Sequence, residues 1–494
     1  MDALAINITP QFTYIQGKIS PSLGNYVLTT TSAYVKEEAL AKVRSLDLPI
    51  TMVDEYQYSL CKVDESLITL PTGLLPRVTS LFNKLGIQYK LNNTIPPLEL
   101  QAGSSKSLWD HQEELVHAAF ERKRGILKSP TSSGKSFVIG EISYRTQHTN
   151  VLITCSGVPL LWQLRKEMAS YLGKEESEIG QIGDKLFEPR QVTIALPMTL
   201  NSRLKKQCPK VIEYLASVRV WIADECHSVG TPSYTNISNY LVNTTYRVGL
   251  SATTEREDGF TLLIEALLGP KIASISEKRM IREGRIKEPR FEFLQSPDTY
   301  IPAGLLKQDY NHFVYNKLYN WAIVNNEGRN QLAVQVVKNH LATSDFPIVL
   351  IVRKVGTTTK NTASHADILQ YLLKDKGIDF SVIHGQTPKK ELKEHLDKLS
   401  QRQIPGIIAG PGIFKEGLSI NTIGALVFMA AGSSSIEFIQ RVGRALRLFE
   451  GKESPVIYDF LDPYPIFKGQ SNKRMDIARK TYPNSPMSIR PLTT

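Results

Sequence analysis

Cysteine is nearly absent from this chain: four residues in 494, Cys61, Cys155, Cys208 and Cys226, with no CxxC pair among them. That spacing argues against a disulfide framework or a zinc site and leaves the thiols as reduced bystanders. Also missing is any apolar run long enough to cross a bilayer, so no membrane partner is expected. The opening residues MDALAINITPQ carry no basic segment ahead of an apolar core, and nothing in them directs the chain out of the cytoplasm. Acidic residues are the scarcer charge: 48 Asp and Glu stand against 59 Lys and Arg, a formal net charge of +11. A surplus of that sign favours a polyanionic partner, because phosphate contacts release counterions whatever the base sequence. Many basic proteins bind no such partner, so charge alone leaves the matter open.

What is present suits a folded protein of several domains. Apolar residues make up 41% and charged residues 22%, and the length exceeds one ordinary core. Residues 1–95 read as a small α+β accessory domain, with strands in YQYSLCKV and SLITL and an amphipathic helix in LLPRVTSLFNKLG ending at Gly86. The segment NNTIPPLELQAGSSKS reads as a linker. Across 96–300 the short runs GILKS, NVLITCS, QVTIAL, RVWIAD and YRVGLS alternate with helical stretches such as LLWQLRKEMASYLG. This alternation predicts βαβ units and a parallel sheet. Residues 301–463 open on a long polar helical region and then offer FPIVLIV, FSVIHG, GIIAG, GALVFMA and PVIYDFL as strands of a second sheet. The fold class is therefore α/β, with two tandem parallel-sheet domains behind a small α+β domain. Residues 464–494 read as a basic, irregular tail.

Three segments carry chemistry. SPTSSGKS, residues 129–136, has the form of a phosphate-binding loop with Ser129 in place of its first glycine. Pro130, Thr131, Ser132, Ser133 and Gly134 would wrap the phosphates, Lys135 would neutralise them, and the Ser136 hydroxyl would ligate Mg2+. A serine loop with an incidental GKS is the plain alternative, but the strand–loop–helix setting favours a nucleotide. VWIADECH, residues 220–227, ends a strand in Asp224 and Glu225, suited to holding magnesium through water and to orienting an attacking water. EFIQRVGRALR, residues 437–447, spaces Gln440, Arg441, Arg444 and Arg447 so that several share a helix face. Those arginines are either an ordinary basic surface or a means of stabilising a γ-phosphate. The histidines have no ligand spacing, so no metal beyond nucleotide-bound Mg2+ is expected.

In this order, and across two α/β units, GKS, DECH, the SAT of GLSATTERED and QRVGRALR resemble the motifs of superfamily 2 helicases, from about 106 to 463. The resemblance implies RecA-like domains, ATP with Mg2+, and catalytic roles for Lys135, Asp224, Glu225, Gln440, Arg444 and Arg447, the last two as arginine fingers. It makes His227, Ser251 and Thr253 the residues that couple hydrolysis to nucleic-acid movement. Gln112, in SLWDHQEELV, matches the family's adenine-reading glutamine. The family's loop commonly reads PTxxGK[ST], so Ser129 does not disqualify it. Within the family, LITLPTGLLPRVTSLFNKLGIQYKL and GPGIFKEGLSI are similar to UvsW-type recombination and branch-migration helicases of T-even phages. GPGIFKEGLSI supplies Gly417 to the ATP site and Lys415 to the nucleic acid, with Arg353 and Lys354 of VRKVGTT as further phosphate contacts or simply a basic surface turn.

The implied protein unwinds or branch-migrates branched DNA (forks, Holliday junctions, D-loops) during recombination, repair and replication, in a host cytoplasm if phage-encoded and with replication or recombination proteins as possible partners. Its residues 1–95 would grip duplex arms and be dispensable for basal ATP hydrolysis. A duplex translocase without strand separation, an RNA helicase and a nucleotide-gated clamp stay open.

Overall fold

The computed structural model describes residues 3–491 apart from 255, 257, 307–311, 354–363, 385–386, 411–419, 430–431 and 433. The five β-branched runs expected in the first half all form strands, and they assemble into an eight-stranded sheet. Its strand order is 186–188, 180–183, 192–195, 150–154, 218–224, 246–251, 124–128 and 271–274. Every neighbouring pair is parallel except 180–183 with 186–188. Val218–Asp224 is buried along nearly its whole length, which is why it reads as a continuous apolar run rather than an alternating one. The helix Val158–Leu172 ends at Gly173, whose φ of 65° closes the last turn in the left-handed conformation.

The second sheet contains the five expected strands and two more, in the order 381–383, 406–409, 348–351, 425–428, 456–461, 290–295 and 487–490, all parallel. Two expectations are corrected by it. Arg290–Gln295 pairs with Val456–Leu461, so the second body starts before residue 300; the division falls between 275 and 276. The tail is also regular: Pro465–Thr481 is a helix, and Met487–Arg490 completes the sheet edge. The helix escaped the apolar pattern because its buried stripe is Phe467, Ser471, Arg474 and Ala478. Arg474 sits there through a buried pair with Asp459, Nε to Oδ2 at 2.7 Å and Nη2 to Oδ1 at 2.8 Å. The polar helical region after residue 300 is broken, with His312–Tyr319, a π-turn at Asn320–Val324 and Glu327–Thr343 as separate pieces.

Residues 1–95 form a five-stranded sheet (62–63, 67–71, 12–16, 4–8, 89–93), a small three-stranded sheet and the helix Leu75–Lys84. The expected separation of these residues from the eight-stranded sheet is absent: the chain divides into 1–130 with 134–275, and 276–494 with 131–133. One apolar cluster runs from Ile6, Ile15, Leu70 and Phe82 into Ile126, Trp221, Leu263 and Leu267. Arg77 makes a bidentate pair with Glu265 at 2.7 and 2.6 Å, and Tyr58 Oη donates to the Gly259 carbonyl at 3.3 Å. The proline-rich linker is likewise tied down. Arg219 Nη2 donates to the Pro97 carbonyl at 2.7 Å, and the Gln101 amide donates to the Arg145 carbonyl at 2.8 Å. Among the described residues no helix is long and apolar enough to cross a membrane.

Candidate active site

The strands 124–128, 246–251 and 218–224 lie side by side and run the same way, with Ser251 opposite Lys128 and Asp224 opposite Leu250. The SPTSSGKS, SAT and DECH segments therefore leave one edge of the sheet together, at the carboxyl ends where α/β sheets place their ligands.

The loop begins directly after Lys128, and the Ser129 amide donates to the Ser251 carbonyl at 3.0 Å. Ser129 does not have the left-handed backbone that would demand glycine; positive φ falls instead on Ser132 (70°) and Gly134 (78°). A Cβ at Gly134 would also stand 2.4 Å from Gln112 Nε2, so that side chain would have to shift. Gln112 is buried and spans two elements: Nε2 is 3.5 Å from the Gly134 carbonyl, and Oε1 accepts the Trp109 amide at 3.0 Å. Lys135 and Ser136 open the helix Lys135–Thr146, whose N-terminal amides face the loop. Lys135 Nζ donates to the Pro130 carbonyl at 3.4 Å.

Asp224 is almost fully buried at its strand end, with Oδ1 accepting the Glu225 amide at 3.0 Å. Burial first, and the neighbouring Glu225 second, push its carboxyl up to about 7, against the pull of Lys135. Glu225 adopts a left-handed backbone (φ 48°, ψ 53°), an unusual state for a residue with a side chain. Its carboxylate meets the SAT segment. Ser251 Oγ donates to Glu225 Oε2 at 3.3 Å, lies 3.1 Å from His227 Nδ1 and accepts the Thr253 amide at 3.2 Å. His227 Nδ1 is also 3.4 Å from Glu225 Oε2. One hydroxyl thus ties together four of the predicted residues.

The raised carboxyl has a measurable consequence. Its value in the folded protein lies above the ordinary 3.8 of the unfolded chain, so the native state holds an extra proton between those values. The stability that proton provides is complete below the unfolded value and is lost as pH rises through about 7. Asp224→Asn is therefore expected to raise the melting temperature of the nucleotide-free protein at pH near 8 by at least about 2 °C, and less near pH 5. Thermal melts at the two pH values check this; no gain near pH 8 would count against it.

Residues 97–256 match the family described as type III restriction enzyme, res subunit, and residues 350–449 match the helicase conserved C-terminal domain. The chain is 24% identical to the putative helicase 22 of a Sulfolobus islandicus filamentous virus, over 72% of this chain and 64% of that one, less than two thirds of its length. It is 21% identical to the ATP-dependent DNA helicase uvsW of enterobacteria phage T4, over 78% of this chain and 74% of that one. This chain belongs to the superfamily 2 helicases. These are enzymes that hydrolyse ATP, normally with Mg2+. The fold of the helicase agrees with a fragment of a putative HsdR subunit of a type I restriction enzyme from Vibrio vulnificus, with a TM-score of 0.56, 17% identity, and coverage of 77% of this chain and 68% of that one.

In the second body of the helicase, Gln440 and Arg444 lie on the helix Ser435–Ala445 and Arg447 just beyond it. Arg441 is set apart from them: it is buried and bonded to Glu437 Oε2 at 2.7 Å. Arg353 donates from Nη1 to Tyr315 Oη at 2.6 Å and lies 5.1 Å above that ring, so an aromatic shelf already holds the predicted phosphate contact. Lys354, Lys415 and Gly417 lie outside the described residues.

Two residues that sequence reasoning passed over support these segments. Arg256 Nη1 donates to the His227 carbonyl at 2.5 Å, and its guanidinium pairs with Asp258. The only sequence signal was its place in the charged run after SAT. Lys452 is buried, and its Nζ donates to the carbonyls of Asn421 (2.8 Å), Ala445 (2.6 Å) and Arg447 (2.9 Å), fixing the end of the arginine helix. No local pattern marks it, because its acceptors lie up to 31 residues away.

Proposed function

We propose that this helicase is an ATP-driven motor that unwinds or branch-migrates branched DNA. The observation that carries the ATP-driven part is the Ser251 hydroxyl bridging Glu225 and His227. That contact joins the residue proposed to orient water with the segment proposed to couple hydrolysis to movement, which supports the reading. DNA as the substrate is supported by the basic balance of the chain and by the likeness to a phage DNA helicase.

In this reading Gln112 recognises the adenine, and the amides of residues 131–136 bind the phosphates with Lys135. The Ser136 hydroxyl and Asp224 carboxylate form an all-oxygen donor set, which suits Mg2+; when bound, that ion neutralises phosphate charge. Asp224 must give up its proton for this role, and the positive charge of Lys135 favours that ionisation. Glu225 orients water in line with the γ-phosphate, while Arg444 and Arg447 stabilise the developing charge. A change at Glu225 then passes through Ser251 to His227 and Thr253, and on through Arg256.

The test measures ATP hydrolysis and strand exchange together on a synthetic four-way junction, with single-stranded DNA, linear duplex and RNA for comparison. Junction-stimulated hydrolysis with release of product arms is expected. Hydrolysis stimulated by linear duplex without strand separation would instead identify a translocase, and stimulation by RNA alone would sink the DNA assignment.

A further inference from the structure

The opposite edge of the first sheet, where its strands begin, carries a cavity of about 530 Å3 that the site above does not use. One wall belongs to residues 1–95, including Thr72 and Asn93; the other is basic, with Arg122, Lys123, Arg124 and Lys271. Among the described residues no Asp or Glu lines it.

Local structure puts the cations there. The helix Asp110–Arg122 is capped by Lys123 in the left-handed conformation (φ 61°), and the strand begins at once with Arg124, so three consecutive basic residues turn a corner. Lys271 starts the neighbouring strand, opposite Ile126. Arg122, Lys123 and Lys271 are exposed, whereas Arg124 is half-buried. Its Nη2 donates to the Pro10 carbonyl, but Nη1 is sealed from water with no hydrogen-bond partner among the described residues. A buried, unpartnered guanidinium nitrogen costs free energy, and the charge of Arg124 is not offset by its described partner. Behind it Arg247 is also buried and donates only to Ser238 and Leu241 oxygens, so no carboxylate among its described partners offsets the charge. Burial accordingly lowers the proton affinity of both guanidiniums.

We propose that this cavity binds the phosphodiester backbone of nucleic acid, as a site separate from the ATP-binding loop. It rests on the reading of the chain as a DNA motor and adds where a further stretch of the polymer is held. Three exposed cations along one wall, with no carboxylate among the described residues lining the cavity, suit a chain of phosphates that continues past it, rather than an enclosed metabolite. Such contacts position the nucleic acid and read no sequence.

The test uses the full chain carrying Arg122→Ala, Lys123→Asn and Lys271→Ala together, asparagine being chosen because it tolerates the left-handed backbone. Binding of a fluorescent blunt duplex is tracked by anisotropy across a salt series without ATP. Losing three phosphate contacts is expected to flatten the slope of log affinity against log salt by about 2.7, with affinity near 0.1 M salt falling about tenfold. Melting temperature and DNA-free ATP hydrolysis should match the unaltered protein, because none of the three residues belongs to the ATP site. Unchanged slope and affinity would overturn the proposal and leave the motor reading standing. A second bound nucleotide, found by titration with a fluorescent ADP and lost in the variant while duplex binding is unchanged, would assign the cavity to free nucleotide phosphates and overturn the polymer claim. Failure of the unaltered protein to bind any nucleic acid would overturn both readings.

Discussion

Glu225→Gln is expected to lower ATP turnover by about a hundred- to ten-thousand-fold while leaving ATP affinity within about twofold. The substitution keeps the size and shape of the side chain, so the left-handed turn after Asp224 and the contact with Ser251 have no steric reason to change. What disappears is a negative charge that can orient water and take up its developing proton. In the proposed reading binding relies on other groups, namely the loop amides, Lys135 and Gln112, and should persist. Measuring turnover beside nucleotide affinity separates the roles. A large loss of affinity with turnover intact would make Glu225 a binding residue and would remove the hydrolytic step assigned to it.

Deletion of residues 1–95 is expected to abolish folding of the first body rather than to trim an accessory function. The proline-rich stretch after residue 92 suggested a separable module, with basal hydrolysis surviving its loss. The packing argues otherwise. Ile6, Ile15, Val78 and Phe82 are buried in one cluster with Leu263 and Leu267, and removing them would expose that surface to water. The interface is also close enough to leave no room for a side chain at residue 73. A Cβ on Gly73 would lie 2.1 Å from the Glu265 carbonyl oxygen and 2.5 Å from that of Ala266. Those are backbone atoms of the helix Thr261–Leu268, which cannot swing aside as a side-chain end could. Gly73→Val is therefore a point version of the same prediction, with a destabilisation of about 1–3 kcal/mol from overpacking. Circular dichroism melts of both variants, with ATP hydrolysis recorded alongside, test it. A truncated chain that melts cooperatively and hydrolyses ATP at the full rate would restore the separable module.

This docking bears on the chemistry as well. The segment that receives residues 1–95 runs on from SAT: Lys42 Nζ lies 4.3 Å above the Phe260 ring, and Tyr58 Oη reaches the Gly259 carbonyl. The same segment supplies Arg256 to the His227 carbonyl. The N-terminal part of the chain and the residues proposed to couple hydrolysis to movement thus share one support.

The segments assigned to ATP were legible because each proposed task calls for a contiguous stretch. A phosphate loop needs a glycine, a lysine and a hydroxyl in fixed order at the start of a helix, and residues 134–136 show all three. A buried parallel strand advertises itself by β-branched residues, so the strands ending at Lys128, Asp224 and Ser251 could be named in advance. Even Ser129, the one irregular letter of the loop, was no obstacle, since the positive φ angles fall elsewhere. The tail helix stayed hidden because Ser471 and Arg474 occupy its buried stripe. An arginine reads as exposed until a partner such as Asp459 is known.

From its sequence alone this chain is a two-sheet α/β helicase with a phosphate loop, a magnesium-suited carboxylate and an arginine-bearing helix. Those features arise from short-range backbone requirements and from hydrophobic periodicity. Tertiary structure alone decided that residues 1–95 share a core with the eight-stranded sheet, and that Ser251 bridges Glu225 and His227. It alone seated Lys452 on three carbonyls and gathered Arg122, Lys123, Arg124 and Lys271 around one cavity. Each of these joins residues far apart in the chain, and such contacts are set by which surfaces exclude water together, a property no single segment carries.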